Sequence, residues 1–340
     1  MSMPLALSIA SHSGLPPACV GAVAQAAEMA GFCAVFVAEG HGDALALCHP
    51  VAAATRQVRI GTAITNAALR PPVLAAKTAA QLDHASGGRF ILGLGVANTF
   101  MNAQFGLTPV PPLTMMEEYT AVVRAVLGGI PGGYEGRVFR SGMVPLDSPP
   151  VRAALPVYLA ALGPRMLELA GRVADGVILN LMSPAQAGEA ARAVRAAALA
   201  AGRDPGSVEV ACVVHCCIAA GDGADARAAA AAAARGIVPS YVLHPAAPKL
   251  FGELDGGPSL NGARQKALTG DRAGAAALVP QQVADGFVAH GGADEVLARA
   301  AEYLAAGVDL PVLFPVPAGG DWGYEKTIAA LGGAGMGAPQ

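Results

Sequence analysis

The chain offers few groups able to do chemistry, and most of them cluster in short polar strings that follow apolar runs. Glu39 and His41 stand two apart in Ala38-Glu39-Gly40-His41-Gly42-Asp43. A carboxylate beside an imidazole can move a proton near neutral pH, the carboxylate orienting the ring. A solvent-facing loop histidine reads the same way. His12, between Ser11 and Ser13, is a second candidate acid. In Ala161-Leu162-Gly163-Pro164-Arg165, Gly163 lets backbone approach a ligand and Pro164 opens a helix. The free N–H groups and dipole of a helix start favour phosphate, and Arg165 adds a charge. An ordinary tight turn with Pro at the first helical position has the same appearance. Gly93-Leu94-Gly95 resembles part of a dinucleotide fingerprint but lacks its third glycine. Such small residues leave room for a flat ring, or for close strand packing.

Other chemistries lose their support. Cys212-Val213-Val214-His215-Cys216-Cys217 invites a metal, yet a strand would set residues 212 and 216 roughly 13 Å apart and turn His215 to the opposite face. No metal site is expected. There is no HExxH, paired CxxC, P-loop or GxSxG elbow. His49, His84 and His290 fall in helical or turn contexts that suit surface or capping roles, and His244 could line a site or face water.

A net charge of -3 with 5% aromatic residues removes both the basic footprint and the stacking platforms of a nucleic-acid binder. The mean hydropathy of +0.46 comes largely from alanine. No run approaches the ~20 apolar residues that a bilayer demands, so no membrane partner is expected. Met1 to Pro4 carry no basic region ahead of Leu5 to Ala10, which suggests a cytoplasmic location without a secretory leader. Six cysteines scattered through apolar segments suit buried, reduced thiols better than a disulfide framework.

The elements that must position these groups alternate along the chain. Leu5–Ala10, Ala34–Ala38, Val58–Ile64, Phe90–Gly95, Pro156–Ala160, Val177–Leu179, Val208–Ile218 and Pro311–Pro315 are apolar runs without polar alternation, as expected for parallel strands covered on both faces. Helical patterns lie between them at Pro17–Ala30, Ala44–Thr55, Pro72–Ala85, Met115–Leu127, Pro164–Ala174, Pro184–Ala201, Ala224–Arg235 and Asp294–Ala306. Several begin with Pro and stop at Gly31, Gly87, Gly202 or Gly307. Eight such pairs predict an α/β fold, a (β/α)8 TIM barrel ranked above an open doubly wound sheet. One domain spanning 1–340 is expected, with irregular insertions at about 128–154, which holds the hairpin-like GGYEGRVFR, and 239–292.

Three longer motifs carry a family resemblance. They are VRIGTAITNAALRPPVLAAKTAAQLDHASGGRFILGLGVA (Val58–Ala97), PVYLAALGPRMLELAGRVADGVILNLMSP (Pro156–Pro184) and GGADEVLARAAEYLAAGVD (Gly291–Asp309). Together with the strand order they make the chain resemble the luciferase-like monooxygenase superfamily, especially its coenzyme F420-dependent branch, which includes methylenetetrahydromethanopterin reductase. The resemblance implies a (β/α)8 barrel with insertions, a bound deazaflavin, a small-molecule substrate and a homodimer. It implies a non-prolyl cis peptide at Ala63-Ile64 behind the ring, with Thr65 nearby. The stretch Gly95, Val96, Ala97 and Asn98 would border the cofactor, and Ala161, Leu162, Gly163, Pro164, Arg165 and Met166 would hold its phosphate.

At the second strand this sequence departs from similar proteins, which commonly show an acid followed at once by His. Here Gly40 follows Glu39 and His41 comes one place later, so His41 or His12 is the candidate proton donor. The expected activity is hydride transfer between deazaflavin C5 and an organic substrate. An FMN-dependent monooxygenase on the same scaffold and a barrel that binds flavin without turnover are the alternatives.

Overall fold

The computed structural model describes residues 3–10, 15–97, 99–244, 250–251, 258–319 and 323–334. Among them the strands are β1 (Ala6–Ala10), β2 (Ala34–Ala38), β3 (Arg59–Thr62), β4 (Thr65–Asn66), β5 (Phe90–Gly95), β6 (Tyr134–Glu135), β7 (Arg140–Ser141), β8 (Val157–Ala160), β9 (Gly176–Asn180), β10 (Glu209–Ile218), β11 (Val288–Gly291) and β12 (Leu310–Pro315). The helices are α1 (Pro17–Met29), α2 (Ala44–Ala54), α3 (Pro72–Ala85), α4 (Thr99–Gln104), α5 (Pro112–Leu127), α6 (Pro164–Val173), α7 (Pro184–Ala200), α8 (Ala224–Ile237), α9 (Pro258–Leu268), α10 (Arg272–Ala277), α11 (Gln281–Phe287), α12 (Ala293–Ala306) and α13 (Tyr324–Gly333).

Eight strands pair in parallel in the order β1-β2-β3-β5-β8-β9-β10-β12, and β12 returns to β1. The fold is therefore a closed (β/α)8 barrel. Alternate residues separate two cores. Outward-facing Leu5, Leu7, Val35, Val37, Val177 and Leu179 pack beneath the helices. Inward-facing Ala6, Phe36, Ile91, Tyr158, Ile178, Val213 and Val312 fill the lumen. At the N-terminal end of the lumen Arg59 pairs with Glu209 at 2.8 Å, and the Tyr158 hydroxyl donates to the same carboxylate. Function is left to the opposite end.

The insertions depart from expectation in different ways. Residues 128–154 contain the predicted hairpin, with Tyr134 opposite Ser141. Glu118 of α5 anchors it by accepting from the backbone N–H groups of Arg137 (2.9 Å), Val138 (2.7 Å) and Phe139 (3.0 Å). Residues 239–292 are not wholly irregular: they hold α9, α10, α11 and β11, and β11 pairs with the last residues of β10. These helices are too short to show an apolar period of their own. Packing organises them into a second apolar cluster with α8, around Phe251, Val283 and Phe287, which includes Leu181 and Cys217 from the ends of β9 and β10.

Smaller differences from expectation concern single elements. The predicted strand Val58–Ile64 is interrupted after Thr62. Helices α4 and α13 were not expected, and α5 begins at Pro112 instead of Met115. Cys19 is exposed, because the buried stripe of α1 runs through Val20, Val23, Ala24 and Ala27 and leaves Cys19 outside it.

Asp83 of α3 closes the first insertion onto the barrel. Fully buried, it accepts from the backbone N–H of Val151 (2.9 Å) and from Nε (3.0 Å) and Nη2 (2.5 Å) of Arg152. Removing the carboxylate leaves the guanidinium without its counter-charge, donating to Phe90 O alone. We expect Asp83→Ala to lower the free energy of unfolding by about 3 kcal/mol, measured as a shift of the urea midpoint.

Candidate active site

The C-terminal end of the barrel is organised around a break in one strand. β3 pairs with β5 through Ile60–Phe90 and Gly61–Ile91, and β4 resumes the pairing at Thr65–Leu94 and Asn66–Gly95. Three residues of the first strand thus oppose two of the second, so one residue is extra and the chain bulges. Within the bulge the Ala63–Ile64 peptide bond is cis, at the position implied by the resemblance. The Thr62 hydroxyl takes the place of the missing ladder. It donates to Gly93 O at 2.7 Å and accepts from Gly93 N at 3.0 Å.

The glycines opposite the bulge are required by contact. A Cβ on Gly93 would lie 1.8 Å from Thr62 O, and one on Gly95 would lie 2.8 Å from Cγ1 of Ile64. Of the two readings left open by Gly93-Leu94-Gly95, close strand packing accounts for both residues: Gly95 gives its space to the Ile64 side chain.

From the other side β2 holds the bulge through Glu39. Its backbone N–H donates to Ile64 O at 3.1 Å, and its carboxylate accepts from the Thr65 hydroxyl and from Asn66 N at 3.1 Å. The expected partnership with His41 is thereby corrected: the carboxylate is spent on β4, while His41 is exposed on the loop after β2. Asn66 extends the network, donating to Asn102 of α4 at 2.8 Å; Asn102 donates to Val96 O at 2.9 Å. His12 and Asn98 lie outside the described residues. Of the remaining histidines, His49 bonds Leu45 O, His84 bonds Pro149 O and His290 sits 2.7 Å from Asp285, whereas His244 is half-buried.

Across the mouth, Ala161 is buried, Leu162 and Met166 are half-buried, and Pro164 and Arg165 are exposed. Gly163 caps α6 with φ -95° and ψ 157°. The first intrahelical bonds come from Met166 N and Leu167 N, both to Gly163 O, so the Arg165 N–H precedes them and points from the helix start. Two non-glycine residues adopt positive φ at strand ends of the same rim, Ala97 at 53° and Leu181 at 48°. Such backbone is costly and gathers at functional sites.

Four polar residues of the upper lumen carry no site role in the sequence pattern, His215 being weighed there only as a metal ligand. Ser8 is fully buried, and its Oγ, like Oδ1 of Asn180, has no hydrogen-bond partner among the described residues. His215, 4% exposed, shares a 2.9 Å hydrogen bond between its Nε2 and the hydroxyl of Tyr241, which also accepts from Asn180 Nδ2 at 3.4 Å. A polar residue at an inward position of an apolar strand would have flagged Ser8 and His215. Tyr241 carried no such signal.

A buried floor with orphaned polar atoms, a braced bulge and an open helix start gather at the C-terminal end of the (β/α)8 barrel and make it the candidate site. Residues 2–310 match the profile of the luciferase-like monooxygenase family, and the chain belongs to that family. It is 31% identical over 316 residues to 5,10-methylenetetrahydromethanopterin reductase of Methanolobus tindarius, covering 91% of this chain and 93% of that one. Its fold superposes on the coenzyme F420-dependent tetrahydromethanopterin reductase of Methanopyrus kandleri with a TM-score of 0.84, 25% identity and 98% of each chain covered. An F420-dependent secondary alcohol dehydrogenase in complex with an F420-acetone adduct shares the fold at a TM-score of 0.76 and 21% identity, over 97% of this chain and 99% of that one.

Two measurements test the brace. Thr62→Val keeps the shape but strands a buried N–H and C=O of Gly93, so unfolding free energy should fall by about 1–3 kcal/mol while Thr62→Ser stays near the parent. Burial holds the Glu39 carboxyl above its ordinary value, Asp43 adding to the effect and Thr65, Asn66 and Arg70 opposing it. The native state therefore binds this proton more tightly than the unfolded chain does. The group's contribution to stability is greatest below the unfolded value of 4.5 and is lost as pH rises through the folded one. Urea titrations across pH should show Glu39→Gln gaining on the parent above pH 4.5.

Proposed function

We propose that the chain is a coenzyme F420-dependent oxidoreductase that transfers a hydride between C5 of the deazaflavin and a carbon of a small organic substrate. The observation that carries this reading is Gly163. Its φ is one that any residue adopts, and beyond its two chain neighbours no atom lies within 4 Å of where its Cβ would be. Neither backbone nor internal packing asks for glycine there, so the open space beside the α6 start suits an incoming phosphate. The buried, unpartnered Ser8 Oγ and Asn180 Oδ1 likewise suit a polar ligand edge over the lumen.

When bound, the deazaflavin supplies the two-electron chemistry. The protein's part is placement. Ile64 and the backbone of Ala63 and Thr65 would back the ring, and Val96 and Ala97 would border it. The N–H groups of Leu162, Gly163 and Arg165 would hold the phosphate, those of Ala161 and Met166 being bonded to Ile178 O and Gly163 O and Pro164 having none, with Arg165 adding charge at the rim. The half-buried bulge and the apolar lumen beneath it keep water from the reacting face. The likeness to F420-named relatives supports this cofactor over FMN. One domain over 1–340 is supported by β11, through which the second insertion joins the barrel sheet.

Gly163→Asp tests the phosphate placement cleanly, since the side chain fits without strain and is a favourable helix cap. We expect thermal stability to be retained and the F420 dissociation constant to rise about tenfold or more, as a carboxylate opposes the phosphate at close range. Unchanged affinity in fluorescence titration would remove the phosphate from α6.

A further inference from the structure

We propose that the hydroxyl of Tyr241, oriented by His215 and Asn180, is the group that hydrogen-bonds the substrate's carbonyl or hydroxyl oxygen and exchanges a proton with it. This role for Tyr241 rests on the ring position proposed for the deazaflavin. In the closed order of eight strands, β3 and β10 stand four places apart in either direction, so His215 faces the bulge from the opposite wall. His215 points inward, as do Ala211 and Val213 on the same strand, and its ring lies 4.8 Å from that of Phe314, its register partner on β12. Tyr241 reaches it from the second insertion at 2.9 Å, and Asn180, at the end of β9, joins the same hydroxyl. A ring laid on the bulge thus leaves its substrate between itself and this cluster.

The three groups have complementary parts. A tyrosine hydroxyl both donates and accepts, an imidazole passes a proton from one nitrogen to the other, and the carboxamide fixes the hydroxyl's direction. Burial raises the Tyr241 pKa, so the hydroxyl keeps its proton until an acceptor takes it. In the reducing direction the carbonyl carbon receives a hydride from the reduced deazaflavin. The π electron pair moves to oxygen, oxygen takes the proton of Tyr241 Oη, and His215 returns a proton drawn from solvent. The products are an alcohol and oxidised deazaflavin, the ring giving up its remaining N–H proton to solvent, so that one proton enters through His215 and one leaves from the ring. Tyr241 is the catalytic residue in this account, and His215 and Asn180 position it. No histidine is then needed after Glu39, which matches the exposed placement of His41.

The test tracks the imidazole nitrogens of His215 by NMR in histidine-labelled protein, assigned with His215→Gln. Cyclohexanone and cyclohexanol are titrated in with and without F420. Either probe should shift the His215 signals of the parent, and in Tyr241→Phe the shift should vanish while the thermal midpoint and F420 affinity are retained. With cyclohexanone and reduced F420, Tyr241→Phe should lower kcat about a hundredfold with little change in KM. His215→Gln, which keeps a polar partner for the hydroxyl, should retain more activity than His215→Leu. His215 signals unmoved by both probes, or a Tyr241→Phe protein that responds like the parent, would overturn the proposal. Failure of the parent to bind F420 would instead sink the cofactor reading, and the titration of the free protein would still decide this one.

Discussion

The Thr62 hydroxyl and the Glu39 carboxylate together hold open a bulge that the barrel would otherwise close. Each replaces backbone pairing lost where β3 gives way to β4: one serves both polar groups of Gly93, the other the Thr65 hydroxyl and the Asn66 amide. A buried backbone group left unpaired would cost more than either hydrogen bond contributes. The side chains therefore make a non-repeating backbone compatible with a continuous sheet. Contact with the bulge then sets its surroundings. Gly93 and Gly95 must lack side chains, Ile64 is carried to the rim, and Asn66 is placed to tie α4 to the β5 exit.

The two ends of the barrel accordingly do different work. The N-terminal end is plugged by Glu209, which accepts from both Arg59 and Tyr158. The C-terminal end keeps polar atoms unsatisfied at Ser8 and Asn180, and strained backbone at Ala97 and Leu181. Thr120 Oγ1 of α5 and Ser141 Oγ of β7 are unpartnered as well among the described residues, but Ser8 and Asn180 are the pair on inward positions of barrel strands, where a ligand over the lumen would complete them. The second insertion adds the remaining wall, since its apolar cluster packs against Leu181 and Cys217 and delivers Tyr241 over the lumen.

Much of this was legible in the residues. Parallel strands buried on both faces read as apolar runs, and Pro starts with Gly stops bracket the helices between them, so the barrel followed from pattern alone. The helix start at Gly163-Pro164 was legible for the same reason. The break in Val58–Ile64 was not, because Thr62 looks like any strand threonine until its hydroxyl is seen to replace a ladder bond. Spacing pairs Glu39 with His41, whereas tertiary contact gives its carboxylate to Thr65 and Asn66. The second insertion stayed opaque because its helices of 11, 6 and 7 residues depend on packing more than on local period. With it Tyr241 was lost.

The proposed rim would seat a deazaflavin on the bulge with its phosphate at α6. The most direct measurement is a paired fluorescence titration of the purified chain with F420 and with FMN. Saturable F420 binding is expected, at least about tenfold tighter than FMN binding, a difference of about 1.4 kcal/mol. FMN bound more tightly than F420 would move the chain to the oxygen-using members of its family, and binding of neither would contradict the account outright.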